Sequence, residues 1–493
     1  MGTLLQDVPS EKEPRSPSPL RGAGSRALRN TALVMAARVL SQLVTLGTVM
    51  LMNRHLSEGQ YGVFGFVVST SGLVTVLIDL GFNTLFQREA ARHPGQLGRY
   101  LDNLASARVF FAVPTLIVFG LVLWGAGNAA YIVPGFVMML FASYSSLLRN
   151  ALYAIQQLRG EAVAIVLESM VLLAAVGYGA ATHQGPAFYL WAYALRWGFS
   201  CAYFTILLTV RRIVRLRWRL EPALIREWFW KGLPFALTFV ITSIYFKVDV
   251  PILTYLRGAA ETGLYTSGYK LFEALLFLPQ SMLSVTFPVL ALLHQEEPDR
   301  LRWAVGRFAK ALVLAGWPIT VGTFLLAHGF RFVYNYAGSE PVLRVLAIGV
   351  VFMFLNNAFI GALNSIDRQS SFTWASLWSM VVNVLLNVVL IPFYGYMGAA
   401  AATVLTEIAL GVFGWVLTAR HLGRIPVLRL SWKGLVAGAV MGGALFPFRD
   451  VTGPPLLAAV VGGGIIYCLV LFLLRPLDAE EMQMVRRAVR LRT

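Results

Sequence analysis

The stretch SIYFKVDVPIL, residues 243–253, sets Lys247 and Asp249 in an otherwise apolar run, and YTSGYKLFE, residues 265–273, sets Lys270 and Glu273 in the next. A charge in hydrocarbon costs roughly 2.5 to 3.5 kcal/mol on insertion scales, so four on neighbouring runs need partners or water. A turn near residue 259 joins the two runs. Asp249 and Lys270 lie almost equally far from it, as do Lys247 and Glu273, so two oppositely charged pairs can meet across the hairpin. Lys270 and Glu273 also share a helical face at i, i+3. Such lysines can hold an anion as point charges, and the carboxylates can balance them or exchange an ion. Arg38 adds a forked cation and Asp79, in LIDLGFN, a further acid, with a helix-end cap as its alternative role. Tyr245, Tyr265 and Tyr269 are placed either to stack on sugar rings or to pack. Glu168, Arg196, Glu407, Asn383 and Asn387 read as hydrogen-bonding groups between helices.

The elements that must position these groups follow from composition. Of 493 residues, 57% are hydrophobic and 13% charged, with a mean hydropathy of +0.67; soluble domains carry about twice that charged fraction. Apolar runs of about 20 residues recur along the chain, long enough for transmembrane helices and about twice what a membrane strand needs. An all-α integral membrane protein is expected, with spans near 28–53, 61–83, 104–126, 129–150, 161–182, 186–210, 231–256, 262–290, 304–328, 341–364, 371–391, 396–420, 431–447 and 453–475.

SEGQYGVFGF at 57–66 and AAETGLYTSGYK at 259–270 echo one another, as do YAIQQLRGEA at 153–162 and ALNSIDRQSS at 362–371, each offset by roughly 200 residues. Two parallel six-helix bundles are therefore expected, 28–210 and 231–420, related by a pseudo-two-fold axis along the membrane normal, with the site between them. A Pro/Ser/Arg-rich segment, 1–27, reads as disordered and cytoplasmic; 211–230 is a basic cytoplasmic linker, 421–475 holds two added helices, and 476–493 is a basic cytoplasmic tail. The apolar run behind residue 27 is too long for a signal peptide. The formal charge of +17 needs no nucleic-acid partner, because with the N-terminus inside most of the 41 Lys and Arg fall on the cytoplasmic side. Their densest cluster, RRIVRLRWRL at 211–220, reads as an anchor on anionic lipid or a docking site for a partner. Cys201 and Cys468 fall inside spans, so no disulfide framework, metal site or other cofactor is indicated. Every expected outer loop is short and the chain holds no Asp-x-Asp, which argues against a membrane-embedded glycosyltransferase.

At NRHLSEGQYGVFGF, LIDLGFNTLFQREAAR, KVDVPILTYLRGAAETGLYTSGYKLFE and GYMGAAAATVLTE the chain resembles the polysaccharide-export (Wzx-type) family of lipid-linked oligosaccharide flippases. That family belongs to the multidrug/oligosaccharidyl-lipid/polysaccharide (MOP) superfamily, which also holds lipid II flippases and multidrug extruders. The resemblance implies a cavity lined by spans one, two, seven and eight, and Arg54, Tyr61-Gly62, Asp249 and Gly263-Tyr265 match its short outer motifs. It further implies a bacterial inner-membrane flippase that carries a polyprenyl-pyrophosphate-linked oligosaccharide, such as an O-antigen or lipopolysaccharide repeat unit, to the outer leaflet. On this reading Arg38, Lys247 and Lys270 hold the pyrophosphate. Asp79, Asp249 and Glu273 are lumenal acids, with coupling to H+, Na+ or membrane potential left open. The expected partners are the lipid-linked substrate, membrane lipids and polysaccharide assembly proteins. A lipid II or teichoic-type precursor, or a drug in an antiporter, are the alternative substrates.

Overall fold

The computed structural model describes residues 19–155 and 157–475, with the side chains of 19–33, 158–159 and 298–299 left out. Eighteen α-helices and no strand are found among the described residues. They are α1 (Pro19–His55), α2 (Glu58–Val74), α3 (Val76–Asp79), α4 (Phe82–Arg92), α5 (Leu97–Gly125), α6 (Ile132–Ala154), α7 (Leu158–Ala181), α8 (Pro186–Val210), α9 (Pro222–Lys247), α10 (Asp249–Arg257), α11 (Ala259–Leu275), α12 (Phe277–Glu296), α13 (Pro298–Leu325), α14 (Arg331–Tyr334), α15 (Ser339–Ser365), α16 (Gln369–Leu422), α17 (Val427–Leu445) and α18 (Pro454–Leu473). Eleven helical stretches among them are long and apolar enough to cross a membrane. One of these, α16, is two helices joined at Gly395, whose φ of +56° only glycine takes readily.

Boundaries differ from expectation where a proline or a turn residue sets them. The segment read as disordered to residue 27 is helical from Pro19, because proline suits the first turn of a helix; residues 1–18 and the tail 476–493 lie outside the described residues. For the same reason the linker ends at Glu221, and α9 starts at Pro222. Span two stops at Leu80 and Gly81, both left-handed, and the chain turns into α4, a helix absent from the sequence reading. That helix buries Phe82, Leu85, Phe86 and Ala90 against α6 and α9.

The helices group into two lobes. In the first, α1 packs on α7 and α6 on α8; in the second, α15 packs on α13 and α16; α17 and α18 are added beside α13. The turns before α2 and α11, together with α14 and the Gly395 kink, gather on one face of the molecule, here the hairpin face. There Tyr336 donates to the Leu56 carbonyl at 2.9 Å, Asn335 to Asn53 at 3.0 Å, and Tyr396 N–H to Glu261 at 3.0 Å. Residues 211–221, the starts of α5, α13 and α17, and the end of α18 share the opposite face, here the linker face, where Arg302 reaches the Arg424 carbonyl at 2.9 Å and Lys433 that of Arg475 at 2.8 Å.

The lobes meet chiefly where α2 crosses α11. A Cβ on Gly62 would land on the backbone of Ala259 and Gly263, and one on Gly263 would land on Glu58 and Gly62. The contact is reciprocal with an offset of 201 residues, which places Gly62 opposite Gly263; the sequence echo, aligned through Tyr61 and Tyr265, is out of this register. Asn53 completes the seal by donating to Ser267 at 3.0 Å and to the Val333 carbonyl at 3.1 Å. Toward the linker face α12 buries only Pro279 and Leu290 among its described residues, and Arg38 and Leu40 of α1 are open.

Candidate functional site at the lobe boundary

Lys247 is the last residue of α9 and Asp249 the first of α10, so the opening stretch falls at a break in a membrane helix. The break turns the two charges apart. Lys247 runs along Gly72 of α2, across the lobe boundary, within electrostatic range of Glu273, Lys270 and Asp249. Asp249 turns into the second lobe, is 4% exposed, accepts from the adjacent Val250 N–H at 2.9 Å and accepts a hydrogen bond from the Tyr265 hydroxyl. Tyr265 is in turn 3.0 Å from Thr403 of α16.

The pairing across the hairpin is therefore corrected. Lys270 bonds Glu273 on its own helix at 2.6 Å, not Asp249. Lys247 feels Glu273 without a direct ion pair among the described residues. Equal depth places groups at one height, but rotation about each helix axis decides which of them meet. Lys270 and Glu273 remain 36% and 42% open although, at 1.5 Å per residue, Lys270 lies about 16 Å along α11 from its hairpin-face end. Charges at that depth need a polar or hydrated surrounding rather than hydrocarbon. Tyr193 of α8 approaches Lys270 from the first lobe and Tyr61 of α2 lies near Glu273.

Arg38 stands apart from this cluster, about 26 Å along α1 from His55. Its guanidinium donates to the Tyr153 hydroxyl at 2.7 Å and to the Glu161 carboxylate at 3.3 Å. From there a polar ladder crosses the first lobe. Arg149 bridges Glu161 at 3.9 Å and Glu168 at 2.6 Å; Glu168 also meets Arg196 at 3.9 Å and Ser200 at 2.5 Å. Arg196 lies within electrostatic range of Tyr193, and Tyr193 within that of Lys270. The ladder joins Arg38 to the lobe boundary and carries Arg38, Arg149, Arg196, Lys247 and Lys270 against Glu161, Glu168 and Glu273, a net cationic set. Arg149 and Glu161 went unremarked in the sequence because both sit close to span ends, where charges are ordinary.

The remaining candidates are held in the walls. Asp79, expected in the lumen, is 7% exposed and paired at 3.1 Å with Arg108, which is wholly buried and also bonds Asn83 at 2.9 Å and the Ser143 carbonyl. Arg108, in SARVFF, was overlooked; an arginine at the edge of an apolar run one span from an aspartate was the available signal. Tyr265 is 0% exposed, so it packs and bonds Asp249 where sugar contact was one expectation. Tyr245 donates to Glu407 at 2.9 Å, beside Asn356 at 2.8 Å. Tyr269 is half-buried against Tyr265 and Phe272. Asn387 donates to Asn383 at 3.2 Å, and Asn383 to Thr406 at 3.3 Å.

Two helical lobes that meet at an outer glycine crossing, with open charges between them at membrane depth, define a membrane transporter. The model of the polysaccharide biosynthesis protein family matches residues 27–294, and the chain belongs to that family; the MatE model matches residues 234–389. The family and the fold place the chain in the MOP superfamily and make it a transporter rather than an enzyme. It is 22% identical to a probable low-salt glycan biosynthesis flippase, Agl15, of Haloferax volcanii, over 88% of this chain and 93% of that one. It is 25% identical to the probable flippase AglR of the same organism, over 48% and 52%. Among solved structures, the lipid II flippase MurJ in an inward closed conformation superposes with a TM-score of 0.73 at 14% identity, covering 90% of this chain and 99% of that chain. An inward-facing multidrug MATE transporter follows at a TM-score of 0.67 and 14% identity, covering 78% and 94%.

Proposed function

We propose that the protein is a flippase for a glycan carried on a polyprenyl pyrophosphate, moving it from the leaflet at the linker face to the leaflet at the hairpin face by alternating access of the two lobes. The observation that carries this reading is the charge at the lobe boundary. Of the six candidate charges, the acids Asp79 and Asp249 are buried and engaged by Arg108 and Tyr265, and Arg38 pairs with Glu161 away from the boundary, while Lys247, Lys270 and Glu273 remain part-exposed or open there. What faces the boundary is net positive. A pyrophosphate is drawn to it, a cationic drug is repelled, and the prenyl tail can stay in lipid.

Lysine suits a moving anion because its compact charge binds from many directions without a fixed fork. Arg38 and Arg149, nearer the linker face, would meet the anion first, with Lys247 and Lys270 receiving it midway. Glu273 neutralises the lysines while no substrate is bound and is the open acid available for coupling to an ion. The flippase names of the Haloferax relatives support a lipid-linked glycan, and an O-antigen-type repeat unit is one substrate of this class. Bacterial inner-membrane residence and assembly-protein partners belong to the same proposal.

The test is transport of a lipid-linked oligosaccharide in proteoliposomes. Lys247→Ala and Lys270→Ala are expected to reconstitute normally and lose most transport, with Lys270→Arg retaining part of it. Two alanine variants that transport like the parent would remove these lysines from the substrate path.

A further inference from the structure

The linker VRLRWRL, residues 214–220, alternates arginine with apolar residues. The structure shows how it is held. The backbone N–H groups of Arg217, Arg219 and Glu221 donate to the side chains of Asp102, Ser106 and Asn103 on α5, at 2.9, 3.1 and 2.6 Å. Three alternate N–H groups bonded to one helix mean an extended chain, whose side chains leave alternately to either side. Arg215 and Arg217 line a groove of about 630 Å³ with Arg99, Arg212, Arg219 and Asp102, and Trp218 borders it. Leu220 enters the apolar surface beside Phe110 and Phe111, and the Trp218 ring lies 6.3 Å from that of Phe110.

The arginines lining the groove outnumber its lining acid, Asp102. Asp102 accepts from the Arg217 backbone, and Glu221 is bridged by Arg99 at 2.5 Å and Arg219 at 2.6 Å. Hydrogen bonds from Arg99, foremost, hold the Glu221 carboxyl down from 4.5 to about 2, so it stays ionised and keeps those two arginines neutralised. Arg212, Arg215 and Arg217 are exposed, and their guanidinium groups have no partner among the described residues. An apolar stripe adjoins the groove at Trp218. Along α5 Phe110, Val113 and Ile117 are 56%, 60% and 57% exposed, a stripe at i, i+3 and i+7 that ends under Trp218.

We infer that this groove binds the headgroup of an anionic glycerophospholipid from the linker-face leaflet, with Arg212, Arg215 and Arg217 on its phosphate and its acyl chains along Phe110, Val113 and Ile117. Surface basicity alone would attract a diffuse layer of anionic lipid. A clamped strap with three uncommitted guanidiniums beside an apolar stripe holds one molecule in place. The site is separate from the lobe boundary and does not depend on what the transporter carries.

The experiment uses the full-length protein in nanodiscs doped with a phosphatidylglycerol that carries a diazirine on its acyl chain, with peptide mapping of the cross-links. Labelling is expected on α5 between residues 109 and 121. Each arginine near an anionic surface contributes roughly fivefold, so Arg212→Gln/Arg215→Gln/Arg217→Gln should raise the half-saturating lipid fraction on the order of a hundredfold. The corresponding triple lysine variant should keep most labelling. Arg215→Gln alone, expected to shift it about fivefold, carries the test if the triple variant does not fold. A diazirine phosphatidylcholine should label α5 weakly and equally in all variants. Labelling of α5 that ignores the three arginines overturns the proposal. Displacement of the lipid by inorganic phosphate also overturns it, because the groove would then be a site for a free anion.

Discussion

Arg108 is 0% exposed in a helix that faces lipid along much of its length, and its guanidinium is spent on Asp79, Asn83 and the Ser143 carbonyl. Removing one member of a buried pair strands the other, at a cost of roughly 3 to 5 kcal/mol. Lys270 differs in kind, because its open side chain and its neighbour Glu273 can be solvated when the pair is broken. Arg108→Gln should therefore lower the thermal stability and membrane abundance of the purified protein sharply, while Lys270→Ala leaves both nearly unchanged. Equal unfolding temperatures for the two variants would mean that both charges share one environment. The sequence revealed that charges lay in the spans and at what height, but not their azimuth. Height followed from counting residues from a turn. Azimuth depends on helix breaks such as the one at Val248, which turns Asp249 toward Tyr265 and Lys247 toward Gly72, and no residue count contains it.

At the scale of elements, the crossing of α2 and α11 decides whether the hairpin face is shut. Capping of α2 by Ser57, whose hydroxyl accepts from Gln60 N–H at 3.3 Å while Gln60 returns a bond to Ser57 N–H at 3.0 Å, fixes where that helix begins. Gly62 then arrives against Ala259 and Gly263 with no room for a methyl group. Gly62→Ala should push the helices apart and loosen the seal, whereas Gly59→Ala, which meets nothing within 4 Å, should not. Ser267, fully buried beneath the crossing, provides the reporter. With Cys201 and Cys468 changed to serine, a Ser267→Cys probe should react faster with a polar maleimide in the Gly62→Ala background and at the parental rate with Gly59→Ala. Equal rates in both would show that the crossing does not close this face. The repeated glycines were visible as an echo roughly 200 residues apart. Their register was not, since an aromatic match suggested Tyr61 with Tyr265 and only the packed backbones set Gly62 on Gly263.

For the whole molecule, orientation in the membrane turns a set of contacts into a direction of transport. The linker face carries Arg88, Arg92, Arg99, Arg211, Arg212, Arg215, Arg217, Arg219, Arg300, Arg302, Arg424 and Arg429, while the hairpin face carries Arg54, Arg257, Arg331, Arg344 and Arg449. Short loops rich in Lys and Arg stay in the cytoplasm, so the linker face is expected inside and the sealed hairpin face outside. Arg38 is open toward the linker face, although α4 still packs on α9 there, so a substrate made in the cytoplasm would meet Arg38 and Arg149 before reaching Lys247 and Lys270. Asp450 and Arg300 are well exposed on opposite faces and can decide the matter. In a background lacking Cys201 and Cys468, an Asp450→Cys variant should react with an impermeant maleimide in intact cells, and an Arg300→Cys variant only after permeabilisation. The reverse pattern would invert the molecule in the membrane. The same ladder of charges would then open to the outside, and the proposed direction from the cytoplasmic to the outer leaflet would fail even with the lysines still binding an anion.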